Sequence, residues 1–215
     1  MTGRERLYGL AVILVGLSVI LMVAACQTVL METGKKAFED RLTSDQVTDT
    51  KLATSITTDL TMKDKSLLLD VSTDVWEQRV LLTGAVSDPR VKQEIVAMVR
   101  ADARVRTLYD EIQVVSPEEQ AERRKAAQEK DQGEPKKEGF SQTVNDFWIE
   151  TKISARLLTE PEVRSVNFRW RSVRNTVYLI GRARSEAELQ RVLEISKSID
   201  GVVAVKPFVE VRPLT

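Results

Sequence analysis

The chain has 215 residues and carries 32 Lys plus Arg against 32 Asp plus Glu, so its net charge gives no general argument for nucleic acid. It has no histidine and a single cysteine, Cys26, which excludes intramolecular disulfides, Cys/His zinc sites, Cys/His dyads and Ser/His/Asp triads. The length suits one or two small domains.

Arg4 and Arg6 precede an apolar run over residues 7–22, and the small residues Ala24 and Ala25 lead into Cys26. This order marks a targeting segment. The run is also close to the roughly 20 residues that span a bilayer, so an uncleaved signal anchor stays open as the alternative. Either reading holds the remainder at a membrane surface outside the cytoplasm. Residues 27–45 mix Lys35, Lys36, Glu39, Asp40 and Arg41 with Ala37, Phe38 and Leu42 without a strong period, and are expected to form a tether with a loose helical turn or two.

From there the chain repeats itself, over residues 47–115 and 147–212. A constant offset pairs Val80 with Val177, Leu82 with Leu179, Gly84 with Gly181, Ile95 with Val192, Val105 with Val202 and Ile112 with Val209. Upstream, Thr50-Lys51-Leu52 matches Thr151-Lys152-Ile153, which requires four extra residues in the first copy, expected in the loop into its first strand. Each copy reads as helix, strand, strand, helix, strand. In the second, Pro161 breaks the first helix, and Val166, Phe168 and Trp170 alternate with Asn167, Arg169 and Arg171 as in a strand with one buried face. Ser185 with Glu188 forms a capping box for a helix that ends at Asp200-Gly201; in the first copy Asp88 and Pro89 start the equivalent helix. The pattern predicts an α+β fold of two tandem αββαβ domains, each a small mixed sheet covered on one face by two helices. Units of about 65 residues are small for independent folding, so packing between the copies is expected. Residues 116–141 are charged and nearly free of apolar side chains. They read as a solvated linker with helical propensity over 118–130.

Residues 145–158 (N-D-F-W-I-E-T-K-I-S-A-R-L-L) divide on a helix into two stripes. Ile149, Ile153 and Leu157 suit a core, while Trp148, Lys152 and Arg156 place an aromatic and two cations on an adjacent face, with Phe147 and Thr151 as neighbours. That face suits an anionic headgroup layer; a tryptophan packed inside with solvated bases is the competing reading. At the positions aligned through the Thr-Lys match the first copy has Val47, Lys51 and Ser55. Residues 45–116 hold nine basic and twelve acidic side chains, residues 141–215 twelve and nine, a bias toward the second copy as the lipid-facing one. Arg169, Arg171, Arg182 and Arg184 either widen that field or serve solubility.

The repeat, with V-x-L-x-G closing the second strand and D-G-V-V-A-V before the third, resembles the BON domain of bacterial envelope proteins. Val23-Ala24-Ala25-Cys26 resembles a lipobox. Lipobox and two copies together resemble the DolP-like family of dual BON-domain outer-membrane lipoproteins, over nearly all of the mature chain. The resemblance implies a lipoprotein signal peptide at 1–25, an acylated N-terminus at Cys26 with a tether to 45, a first BON domain at 46–116, a charged linker at 117–143 and a second BON domain at 144–215. It further implies a palmitate-bearing anchor in the outer membrane facing the periplasm, and binding of anionic phospholipids (phosphatidylglycerol, cardiolipin) through the second domain, with Trp148 as the carried-over residue and Lys152, Arg156, Phe147 and Thr151 added from helix geometry. The expected function is non-catalytic support of outer-membrane integrity, with no cofactor, no metal and no nucleic acid. An adaptor for outer-membrane assembly or division machinery is the alternative. A paired-carboxylate hydrolase is the third class, and no recognisable carboxylate pair in apolar surroundings supports it.

Overall fold

The computed structural model describes residues 39–131 and 142–213; the signal segment, Cys26, residues 27–38 and the linker residues 132–141 lie outside them. Residues 40–215 form one compact unit. Its first copy runs α1 (Thr43–Lys63), the short α2 (Leu67–Asp70), β1 (Val71–Trp76), β2 (Arg79–Val86), α3 (Pro89–Arg100) and β3 (Thr107–Val114). Helix α4 (Pro117–Asp131) leads to the second: α5 (Gln142–Thr159), a single 3-10 turn (Ser165–Asn167), β4 (Phe168–Val173), β5 (Thr176–Ala183), α6 (Glu186–Lys197) and β6 (Ala204–Val211). Helix α1 begins at Thr43, so the last residues of the expected tether are helical.

Each sheet has its middle strand antiparallel to the strand before it and parallel to the strand after the helix, in the orders β1-β2-β3 and β4-β5-β6. This is the mixed sheet expected from the element order. Two helices lie on one face of each. Leu52, Ile56 and Leu60 of α1 and Ile95 and Val99 of α3 bury against Val80, Leu82 and Val86 of β2. Ile149, Ile153 and Leu157 of α5 and Val192 and Ile195 of α6 bury against Val177, Leu179 and Ala183 of β5.

These core triplets correct the sequence alignment. Leu52, Ile56 and Leu60 precede Ile149, Ile153 and Leu157 by 97 residues, the same spacing as Gly84 to Gly181. The offset is constant from α1 to β6, with no four-residue insertion, and the Thr-Lys match is one helical turn out of register. A slip of four on a helix returns each apolar residue to nearly the same face, so the hydrophobic pattern tolerates it.

The V-x-L-x-G glycines have a steric cause. Gly84 has φ +125 and a Cβ there would lie 2.0 Å from the Asp70 carbonyl oxygen; Gly181 has φ +151 and a Cβ 2.1 Å from the Asn167 oxygen. Each glycine is where the residue before the first strand presses on the second. Asn167, read as an outward strand residue, is fully buried; it accepts from the Asp40 amide at 2.9 Å and donates to the Asp40 carboxylate at 2.8 Å. Extended pairing starts only at Phe168. At α6, Ser185 caps the Glu188 amide as expected, but the Glu188 carboxylate takes the amides of Arg164 and Arg184 at 2.7 and 2.6 Å. Where the first copy lacks the helix-ending glycine, the Asp102 side chain accepts the Arg104 amide at 2.9 Å.

The two domains meet through the sheet faces turned away from their helices. Trp76, Leu81, Val173, Tyr178 and Ile180 form a separate buried cluster there, with Tyr109 and Phe208 stacked at 4.4 Å. Arg79 is 1% exposed and donates to the carbonyls of Phe208 at 2.8 Å and Gly181 at 2.7 Å. Around it lie the pairs Arg171 with Asp74, Arg106 with Glu210 and Lys206 with Glu111. The linker helix is also docked rather than solvated. Gln120 accepts from the Ser87 amide and donates to Asp70, Arg124 pairs with Asp70, and the largely buried Arg123 pairs with Asp146. Arg123 and Arg124 are spent on buried carboxylates while Glu118, Glu122 and Lys125 stay exposed, a division that composition does not reveal.

Two substitutions test this architecture. Gly181→Ala is expected to cost more than about 2 kcal/mol in urea unfolding, while Gly201→Ala, whose Cβ would meet only Ile149 Cδ1 at 3.7 Å, is expected to cost about 1 kcal/mol. Arg79→Leu removes the charge but leaves two seam carbonyls unpaired, and a loss of about 2 to 4 kcal/mol is expected by the same measurement.

Candidate functional site

The start of α5 is fixed by one carboxylate. Asp146 accepts from the amides of Arg174 at 2.9 Å and Asn175 at 2.8 Å and from the Ser172 hydroxyl at 2.7 Å. Arg174 and Asn175 both have positive φ, the backbone of a two-residue hairpin, and Asp146 compensates for their lack of glycine. Asp49, 97 residues earlier, holds the Glu77 and Gln78 amides in the same way. This matched pair of aspartates was available in the sequence as a second check on the register.

From that anchor, Ile149, Ile153 and Leu157 point into the core and the five nominated residues take the rest of the helix. Trp148 is half-buried, its ring edge-on to the half-buried Phe147 with centroids 5.7 Å apart. The tryptophan is therefore not packed wholly inside, as the competing reading has it. Lys152 is half-buried one turn on, and Arg156 is exposed and donates to the Ser198 hydroxyl at 2.8 Å. Thr151 is exposed on the outer ridge, its hydroxyl donating to the Phe147 carbonyl at 2.9 Å. Leu158, 67% exposed, ends that ridge. Trp148, Lys152 and Arg156 thus follow one another at helical spacing along one flank of α5, which meets the segment after α6 at Arg156.

With the register corrected, the first copy's counterparts of Phe147, Trp148, Thr151, Lys152 and Arg156 are Thr50, Lys51, Thr54, Ser55 and Asp59, not a set containing Val47. These residues line a shallow open groove on α1. The two helices share core positions and differ on this flank, where the first copy has no aromatic and ends on an acid.

The sheet arginines do not extend the field. Arg171 bonds to Asp74, whose charge raises the arginine pKa, and Arg169 sits over the Trp76 ring at 5.4 Å. Arg182 donates to the Asp40 carbonyl at 2.8 Å and faces Glu77, while the hydrogen bond from Arg184 to Glu188 raises that arginine's pKa. All four neutralise or support the protein's own groups. Among the described residues no helix is long and apolar enough to cross a membrane.

Comparison with known proteins agrees with this architecture. The family model described as the BON domain matches residues 48–116 and 145–213, two segments again 97 apart. The chain is 33% identical over 144 residues to an uncharacterized protein in the gshII 5' region of Anaplasma centrale, covering 66% of this chain and 82% of that one. It is 24% identical over 175 residues to the outer membrane lipoprotein DolP of Haemophilus influenzae, covering 80% of this chain and 78% of that one. Among solved structures, CdsD, a structural protein of the type III secretion system of Chlamydia trachomatis, matches at 16% identity over 67% of this chain and 86% of that one, with a TM-score of 0.29, too loose a superposition to carry an argument. Two matches to one family model, on two copies of one αββαβ fold, show that the chain belongs to the BON-domain family as a tandem member.

Proposed function

We propose that the chain is a non-catalytic lipoprotein of the bacterial outer membrane, acylated at Cys26 and facing the periplasm, which binds anionic phospholipid through the Trp148, Lys152 and Arg156 flank of α5 and so supports membrane integrity. The observation that carries this reading is the difference between two copies of one fold. A stripe needed for packing would recur on α1, and instead Lys51, Ser55 and Asp59 stand there. Trp148 brings an amphipathic ring to the interface, and each cation contributes about 1 kcal/mol near an anionic surface. The relative named an outer membrane lipoprotein supports the compartment, and the V-A-A-C motif supports the anchor.

Trp148→Ala, and separately Lys152→Glu with Arg156→Glu, are expected to weaken binding of residues 40–215 to phosphatidylglycerol vesicles roughly tenfold or more, with the unfolding midpoint nearly unchanged for the reversal at the exposed Arg156 alone. Co-sedimentation that is indifferent to all three substitutions refutes the assignment. The converse test grafts the stripe onto α1 as Lys51→Trp, Ser55→Lys and Asp59→Arg in a Trp148→Ala background; partial recovery of vesicle binding is expected. Palmitate-analogue labelling in cells that is lost in Cys26→Ser checks the anchor.

A further inference from the structure

We infer that the segment between α6 and β6 is a second membrane-contacting element, with Val203 as an apolar tip that enters the anionic bilayer beside α5. This rests on the α5 reading and assigns a new residue to the same surface. Val203 is 80% exposed, although valine is among the residues most often buried. Its amide donates to the Asn175 carbonyl at 2.9 Å, and the Asn175 amide is in turn held by Asp146, two residues before Trp148. Val203 is thereby fixed to the same end of the domain as Trp148. Further along, Gly201 lies against Ile149 and Ser198 receives Arg156, so the segment runs beside the helix that carries the tryptophan and the cations.

The first domain supplies the contrast. Its equivalent residues 101–106 read A-D-A-R-V-R, against S-I-D-G-V-V at 198–203. The counterpart of Gly201 is Arg104, paired with Asp102, and the counterpart of Val203 is Arg106, paired with Glu210 across the domain seam at 2.8 Å. In the second domain both arginines are gone and an aliphatic side chain faces solvent at the position of the second. Helix flank and segment thus change together between the copies, one gaining an aromatic and cations, the other losing cations for an apolar tip. Lys152 and Arg156 make the bordering surface attractive to anionic headgroups, whereas Asp200 keeps the segment's own charge from doing so. Its contribution is apolar insertion.

The sole cysteine of the chain is Cys26, so residues 40–215, which close their cores within one compact unit, accept a single engineered thiol. Val203→Cys carrying an environment-sensitive fluorophore is expected to shift to shorter wavelength on adding phosphatidylglycerol vesicles and not phosphatidylcholine vesicles. The same label at Met62→Cys, 81% exposed on α1, is expected to stay unshifted. Val203→Ser is expected to lower vesicle affinity by roughly fivefold to tenfold without moving the unfolding midpoint. If Trp148-dependent co-sedimentation persists while the label at 203 is silent and Val203→Ser binds normally, the segment is not a contact and α5 acts alone. If the unsubstituted protein does not sediment with anionic vesicles, both assignments fall.

Discussion

A guanidinium with almost no solvent around it has to be matched by protein groups. Arg79 leads out of the tight β1–β2 turn, crosses from one sheet to the other, and ends on the backbone oxygens of Gly181 and Phe208, with Glu210 beside it at 3.4 Å. A charge so placed costs several kcal/mol if its partners are removed, so the seam has essentially one arrangement that satisfies it. Trp76, Tyr178 and Ile180 close the same seam by burial, but it is the directional bonds of Arg79 that set how the sheets lie on each other.

Once the sheet faces are joined, the helices of both domains are left on the outside. Helix α5 has its core stripe against β5, and Arg156 on its other flank reaches Ser198 in the turn of chain after α6. The sheet arginines become internal counter-ions to Asp74, Glu77 and Glu188. The positive surface of the second domain is therefore narrower than its count of basic residues implies. Docking of α4 adds to this focus, because Arg123 and Arg124 are spent on Asp146 and Asp70. Asp146 joins three jobs in one group, closing the hairpin, receiving the linker helix and fixing the start of the helix that carries Trp148.

Tandem copies of one fold offer an internal control that a single domain does not. Asp49 and Asp146, Gly84 and Gly181, and the two core triplets are kept because hairpin closure, strand contact and helix packing demand them in any copy. Elsewhere the copies diverge: Lys51 against Trp148, Asp59 against Arg156, Arg106 against Val203. The last of these also ties the two roles together, since Arg106 reaches across to the second domain while Val203, its counterpart, faces solvent.

Much of this was legible in the residues. Apolar periodicity, the punctuation by Pro89, Pro161 and Gly201, and the recurrence of V-x-L-x-G sufficed for the elements, their order and the mixed sheets, because these depend on local propensity and on which face of each element must be dry. The face carrying Trp148, Lys152 and Arg156 was legible for the same reason. The helix register was missed, because a slip of one turn leaves the dry face unchanged; the core triplets and the aspartates that close the two hairpins are what distinguish the alternatives. The seam was signalled by Val80-Leu81-Leu82 and Tyr178-Leu179-Ile180, runs too continuous for strands buried on one face. Which charges remain available to a partner was decided by tertiary structure alone. Ion pairing joins residues a hundred positions apart, and whether an arginine meets an internal carboxylate or faces solvent depends on how complete domains pack.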